Sequence, residues 1–491
     1  MWQRNRIVSC TYGFFSLGGR LFSSLPTKSI NVKPRREIPG SSMLRNMIKY
    51  SGRQSLDKFQ EDIQQLFDKY GPIFQFNMPG LKMVFVSHPE DIEHVFRNED
   101  QFPLRGVHSS FATYFKSKGL KEGISGDDDS WKHHRSCTAP NMMLPRQNQG
   151  YMSGLNEIAV DSVSTLNEGR NTNLLPLLQL WAAESVLYVM FGHRTYINLE
   201  NCDEDALALS KAAFNAFESE SKLIFSFPWY KYFKTPELQR FFKACDTLSI
   251  FTRNFMSKVR NKPTALPDGF ESVFQKICKE KKLSDEEIIQ VTATLLTGGV
   301  DTTSTMVLST LHMLSKHQNC QEKLYAEIRN SLQNDEVPTY EHFTKMPYLK
   351  ATIHEVFRTN LLVLGTSRKL SKSIVLSGYE VPPGTIITLS SAKPKQLHQK
   401  LYGDDEKFKP ERWLRENKDF HPFSLLPFGF GRRMCVGRRI AIMEISLFLI
   451  CFLQKYKIEE NLKPGDQLDW NYGIVLRPDK PFNVYLTKRC Q

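Results

Sequence analysis

Ser284-Asp285-Glu286-Glu287 opens the stretch that most restricts what this 491-residue chain can become. A serine N-cap with a glutamate three residues on satisfies two backbone N–H groups reciprocally, and acids in the first turn oppose the helix dipole. Apolar spacing then continues to about His317. At about 1.5 Å per residue this predicts one helix of roughly 50 Å, long enough to cross a whole domain. Its middle reads Gly298-Gly299-Val300-Asp301-Thr302-Thr303. Each glycine costs about 1 kcal/mol relative to alanine in a helix interior, and Asp and β-branched Thr are poor there too. A function that offsets this cost is one explanation; a kink that eases helix packing is the other. Paired glycines can admit a ligand or water against the helix groove, and an acid beside a hydroxyl can pass protons inward.

Around that helix the chain reads as mainly α with a small β region. Pro72 to Met78 and Leu81 to Ser87 are β-rich runs separated by Pro79-Gly80, a hairpin signal, and His88-Pro89-Glu90 starts a helix through Phe96. From about Gly154 to Tyr348 the apolar spacing is helical. Short strands return around Ile374 to Val381 and Gly473 to Leu476. Glu37-Ile38-Pro39-Gly40 is a stiff lead-in with no comparable linker after it, so residues 34–491 are expected to form a single large domain. The segment 1–33 holds Arg4, Arg6, Arg20, Lys28 and Lys33, and no acid occurs before Glu37. That composition predicts a mitochondrial transit peptide, a disordered basic tail being the alternative. The apolar run around Tyr12 to Leu17 is too short to span a bilayer.

The formal charge of +13 is spread along the chain rather than gathered into a stripe, which argues against nucleic acid as a partner. The nine cysteines are odd in number, scattered, and contain no Cys-x-x-Cys pair. A disulfide framework or zinc site does not fit that pattern; a reducing compartment does.

One cysteine stands apart, in Phe428-Gly429-Phe430-Gly431-Arg432-Arg433-Met434-Cys435-Val436-Gly437. A thiolate is a soft ligand suited to iron, and cations with converging backbone N–H groups keep it ionised. The loop resembles the haem-thiolate loop of the cytochromes P450. That resemblance implies the family's fold and haem b (iron protoporphyrin IX), with Cys435 as the axial ligand and Phe428 and Gly437 in the cofactor-binding loop. It also implies a haem-dependent monooxygenase in which Thr302 steadies dioxygen and Asp301 relays protons.

Further segments carry the same resemblance. Glu355 and Arg358 stand at i and i+3, alone a weak surface pair. In the family they would join Arg412, within Phe408-Lys409-Pro410-Glu411-Arg412-Trp413, in a buried structural cluster that forms the haem pocket. Trp131 and Arg135, one helical turn apart, are matched to the haem propionates, a role extended to Arg368 and Arg433. His133 and His134, which point apart on a helix, are read as solvated. Two departures stand out: Leu361 replaces a proline of the family, and 391–400 lacks the usual pattern.

No part of the chain resembles a flavin or nicotinamide domain, so a partner must bring the electrons. In the family's mitochondrial branch the implied partners are a [2Fe–2S] ferredoxin and its NADPH-dependent reductase, with Lys350, Arg438 and Arg439 as the docking face and His354 in place of a second lysine. Lys69-Tyr70-Gly71-Pro72-Ile73-Phe74, Leu174-Leu175-Pro176-Leu177-Leu178 and Val186-Leu187-Tyr188-Val189-Met190-Phe191-Gly192 resemble arthropod ecdysteroid hydroxylases, especially the carbon-2 enzymes. This implies a lipophilic steroid substrate. A hydroxylase of lipophilic xenobiotics and a non-catalytic haem-binding sensor are the competing readings. The aromatic stretch Leu223 to Tyr230 suits peripheral contact with the matrix side of the inner membrane; a buried helix corner fits it equally.

Overall fold

The computed structural model describes residues 32–489 apart from 51–55, 57, 108, 172, 197–203, 226, 263–265, 333–335, 405–406, 415–419, 461–467 and 473–474. Residues 1–31 of the expected transit peptide therefore lie outside the described residues. Lys33, placed in that peptide by composition, is already tied to the body: its N–H donates to the Gly378 carbonyl at 3.0 Å and its carbonyl accepts from Glu380 at 2.8 Å.

The hairpin forms as the sequence predicts. Strands β1 (Ile73–Met78) and β2 (Leu81–Val86) pair antiparallel, with Met78 opposite Leu81 across a turn where Gly80 takes φ +76°. A helix follows at Pro89–Arg97. The principal helices come next: α1 (Ser130–Met143), α2 (Leu175–Phe191), α3 (Glu204–Phe225), α4 (Pro236–Val259), α5 (Asp285–Lys316) and α6 (Pro347–Thr359). After them come strands β3 (Gly365–Lys369) and β4 (Ile386–Ser390), and helix α7 (Arg438–Lys455).

Helix α5 has both halves of its capping box: the Glu287 N–H donates to the Ser284 hydroxyl at 3.3 Å, and the Ser284 N–H to the Glu287 carboxylate at 2.9 Å. It spans 32 residues to its cap at His317. Helix α2 buries every residue from Leu177 to Phe191, because it runs through the core between other helices and has no solvent side. Trp181 of α2 packs on Phe448 of α7, ring centroids 4.8 Å apart.

The larger sheet was half visible in the sequence. β4 lies parallel to β2 and antiparallel to β3, giving the order β1, β2, β4, β3, with Gly40–Ser41 added parallel beyond β1. β3 reads Gly-Thr-Ser-Arg-Lys, without apolar alternation, and is a strand because β4 holds it. The expected strands near 374–381 form a small hairpin, Ile374–Leu376 with Tyr379–Val381. Of the strand expected over Gly473 to Leu476, residues 473–474 lie outside the described residues; the strand present is Leu476–Pro478, paired with Trp470–Tyr472. A further small sheet of 169–171, 456–460 and 484–488 was not among the strands expected from the sequence.

Candidate active site

A cavity of about 490 Å³ lies between the middle of α5 and the loop before α7, and Cys435, Gly298, Gly299 and Thr302 all stand in its wall. The two glycines do different things. A Cβ at Gly299 would sit 2.6 Å from Val186 Cγ2 of α2, so hydrogen is all that the α2–α5 contact admits. A Cβ at Gly298 would meet nothing within 4 Å, so that position keeps space open. The Thr302 hydroxyl donates to the Gly298 carbonyl at 2.6 Å, which leaves its oxygen lone pairs available on the cavity side.

Asp301, one residue away, is not among the lining residues. It is buried, and its Oδ2 accepts from Arg477 Nη2 at 2.8 Å. Burial raises its carboxyl above the ordinary range even though Arg477 opposes the shift. The Arg477 guanidinium lies 3.8 Å over the Phe214 ring of α3. Its strand is tied to the cavity wall: the Leu476 N–H donates to the Leu362 carbonyl at 2.9 Å, and Val475 bridges Val363.

Cys435 presents an open face to the cavity. Its N–H donates to the Phe428 carbonyl at 2.9 Å, closing the loop. Gly431 in that loop has φ +75°, and a Cβ there would meet a Glu99 carboxylate oxygen at 2.3 Å. Burial pushes the Cys435 thiol up, while the Gly437 N–H and the guanidiniums of Arg135, Arg105 and Arg438 pull it down.

Arg135 and Arg433 line the cavity, joined by Arg105, which the sequence did not reveal. Arg135 donates to the Met434 carbonyl at 2.7 Å, and Arg105 Nη2 to the Arg433 carbonyl at 3.2 Å. Trp131 and Arg368, expected to reach the ligand themselves, are not among the lining residues. The Trp131 ring lies 3.8 Å under the Arg433 guanidinium, and Arg368 is engaged by Glu99 at 2.7 Å and by the carbonyls of Ser367 and Phe430. Burial drives the Arg433 pKa down to about 9 and that of Arg105 to about 10, and the neighbouring guanidiniums push both the same way. Four guanidiniums (Arg105, Arg135, Arg368, Arg433) thus face two carboxylates, Glu99 and Asp127; among the described residues two positive charges are left unmatched and the buried Arg105 Nε has no hydrogen-bond partner. A flat ligand with two carboxylates and a metal facing Cys435 complements this wall. Haem b is such a ligand.

The structural cluster assembles around Glu355. Its two carboxylate oxygens accept from five N–H donors: Arg358 Nε (2.9 Å) and Nη2 (2.8 Å), Arg412 Nε (3.0 Å), the Lys409 N–H (2.8 Å) and Trp413 Nε1 (2.7 Å). Burial would raise this carboxyl, but the Arg358 pairing and the other donors outweigh it and hold it low. On the same helix Phe357 lines the cavity and meets the Phe428 ring edge-on at 5.3 Å, so the cluster positions the wall next to the cysteine loop. Trp413 was the member missed; only its place beside Arg412 hinted at it.

Lys350 and Arg438 are exposed, Arg439 is half-buried, and exposed His354 bonds to the Lys350 carbonyl at 2.8 Å. His134, read as solvated, is buried. It packs between α1 and α5 with Nε2 3.3 Å from Glu287, because position 134 falls on the inner face of α1. In the aromatic stretch Leu223, Phe225 and Tyr230 are buried, whereas Phe227 and Trp229 are exposed along with Tyr232 and Phe233 beyond them.

The chain belongs to the cytochrome P450 family, whose profile matches residues 39–485. It is 28% identical to the mitochondrial cholesterol side-chain cleavage enzyme of Capra hircus, over 91% of this chain and 88% of that protein. It is also 28% identical to mitochondrial cytochrome P450 12b1 of Drosophila acanthoptera, over 96% and 93%. The mitochondrial 1,25-dihydroxyvitamin D(3) 24-hydroxylase of Rattus norvegicus is 27% identical, over 86% and 83%. The crystal structure of the cytochrome P450DA heme domain shares the fold, with a TM-score of 0.76 at 19% identity over 94% of this chain and 98% of that one. The protein is thus a haem-dependent monooxygenase that binds haem b through a cysteine thiolate.

Proposed function

We propose that this protein is a mitochondrial steroid hydroxylase that acts on an ecdysteroid at carbon 2 and draws electrons from a [2Fe–2S] ferredoxin and its NADPH-dependent reductase. The observation that carries the reading is the cavity itself. Cys435 and Thr302 share it with Phe59, Phe85, Phe111 and Phe225, a lining suited to a rigid apolar skeleton. Relatives named for mitochondrial cholesterol cleavage and vitamin D hydroxylation support the compartment and the steroid class. The segments that resemble those of ecdysteroid hydroxylases support the finer substrate.

Bound haem supplies activation of O₂ for insertion of one oxygen atom into a C–H bond. Cys435 would hold its iron, while Arg105, Arg135 and Arg433 would take the two propionates, with Trp131 and Arg368 as props behind them. Gly298 leaves the space in which substrate and oxygen meet. The Thr302 hydroxyl orients there through its bond to the Gly298 carbonyl. Asp301 relays the protons: its carboxylate is paired with Arg477, and that pair must loosen for it to take up a proton and pass it inward. Lys350, Arg438 and Arg439 form the cationic docking face. Exposed Phe227, Trp229, Tyr232 and Phe233 suit peripheral contact with a membrane, and among the described residues no helix is long and apolar enough to cross one.

The test is a titration of the ferric protein with 2-deoxyecdysone, following the haem absorption band. A saturable shift towards high spin supports both haem site and substrate. A normal thiolate spectrum without a shift keeps the enzyme class and sends the substrate to other steroids or to xenobiotics.

A further inference from the structure

One part of the cavity wall is made by two stretches that hold each other through their backbones. The Ser391 N–H donates to the Leu364 carbonyl at 2.8 Å, and Leu362 to Gly365 line the cavity together with Ser390, Ser391 and Lys393. The two departures read in the sequence, Leu361 and residues 391–400, adjoin or overlap these stretches, and the fold brings them side by side. Leu361 and Leu364 pack on the same apolar cluster as Ala392.

Lys393 is the anomaly in this wall. Its side chain is 3% exposed, and its amine donates to the Ser391 carbonyl at 2.9 Å. No carboxylate pairs with it among the described residues, and burial alone pushes its pKa down to about 7. The backbone is anchored on both sides: Gln64 donates to the Lys393 carbonyl, and Pro394 caps the helix Lys395–Tyr402. Buried and bonded to the carbonyl of Ser391, itself a lining residue, the amine stays within the cavity wall rather than reaching bulk water. A buried ammonium without a counter-charge is expensive, and an apolar residue of the same length would fill the space at lower cost.

We propose that Lys393 is a specificity-determining residue whose amine donates to an acceptor oxygen, carboxylate or carbonyl, on the lipophilic substrate. The inference rests on the reading that this cavity takes a lipophilic substrate, but not on that substrate being an ecdysteroid. The amine has donor capacity beyond its bond to Ser391, and an acceptor arriving in an apolar cavity satisfies it.

The test compares ferric wild type with Lys393→Met and Lys393→Gln by optical titration against matched probes: progesterone and pregnane, then dodecanoic acid and dodecane. Lys393→Met should bind the oxygen-bearing member of at least one pair tenfold or more weakly while binding its oxygen-free partner unchanged. Lys393→Gln keeps a neutral donor, so it should spare the ketone and weaken the acid, which tells the two acceptors apart. Haem content should be unchanged, and the thermal midpoint of Lys393→Met should equal or exceed that of wild type. Equal affinities for every probe, no binding of any probe, loss of haem, or a lowered midpoint would each overturn the proposal, the last two by making Lys393 part of the haem wall or of the scaffold. Binding of dodecanoic acid that depends on Lys393, with no binding of progesterone, would leave Lys393 in its role and retire the steroid reading.

Discussion

Gly298 and Gly299 are neighbours in one helix, and alanine at each should act with opposite sign. Either substitution gains about 1 kcal/mol of helix propensity. At Gly298 nothing opposes that gain, since the added methyl has nothing within 4 Å. Gly298→Ala should therefore stabilise the fold by up to about 1 kcal/mol, while its methyl intrudes on the cavity and weakens binding of large ligands. At Gly299 the methyl would come within 2.6 Å of Val186 Cγ2, more than 1 Å inside an ordinary carbon–carbon contact of about 3.5–4.0 Å. Overpacking of that kind costs about 1–3 kcal/mol, so the net change runs from neutral to about 2 kcal/mol destabilising. Truncating the opposing side chain should relieve it: Val186→Ala with Gly299→Ala should be less destabilised than the two single effects combined, by about 1 kcal/mol or more. Urea unfolding followed by far-UV circular dichroism measures all four proteins, and steroid titration reads the cavity. If both glycines tolerate alanine alike, or the double variant is merely additive, the division of labour between open space and close packing is wrong.

Glu355→Ala should leave the buried Arg358 and Arg412 without their shared carboxylate, a loss of about 3–5 kcal/mol, and the haem-to-protein absorbance ratio should fall with it; normal haem uptake would remove the cluster from pocket formation. Asp301→Asn should slow product formation while leaving haem content intact, and wild-type turnover would end its assignment as proton relay. Glu444 lines the cavity, and burial pushes its pKa up to about 8 from 4.5. The folded state thus holds a proton that the unfolded state has released, so stability should decline as pH rises from about 4.5 to about 8, and Glu444→Gln should flatten that decline in unfolding curves. Ferredoxin-supported activity should fall steeply with added salt if Lys350, Arg438 and Arg439 dock an acidic partner, and a flat salt profile would count against that face.

The parts of this fold that speak in the sequence are those with local causes. The capping box at Ser284 and the interrupted centre of α5 are readable because caps and glycines act within one or two turns. The β1–β2 hairpin is readable because Pro79-Gly80 and two apolar runs suffice. β3 was silent because Gly-Thr-Ser-Arg-Lys becomes a strand only through β4, whose own place depends on β2, some 300 residues earlier in the chain. At the site, Cys435 announces itself through its glycines and arginines. Arg105 does not, since nothing in Pro103-Leu104-Arg105-Gly106 shows that its guanidinium will end beside Arg433. Asp301 shows the same limit differently: its neighbour Thr302 lines the cavity, while its own carboxyl faces Arg477, a partner 176 residues away. His134 adds a smaller lesson: two adjacent histidines point apart on a helix, but that alone did not show that one of them would meet α5.

Leu362 and Val363 in the cavity wall are stitched to Val475 and Leu476, and the next residue along, Arg477, grips Asp301. The stitching makes a short lever with the guest at one end and the acid at the other. Val475 borders the guest chamber and Arg477, two residues on, holds the acid, so both duties fall to one short run of backbone. Wall and counter-charge are thereby one piece: whatever sets the position of that run sets both the chamber's boundary and the resting place of the Asp301 carboxyl.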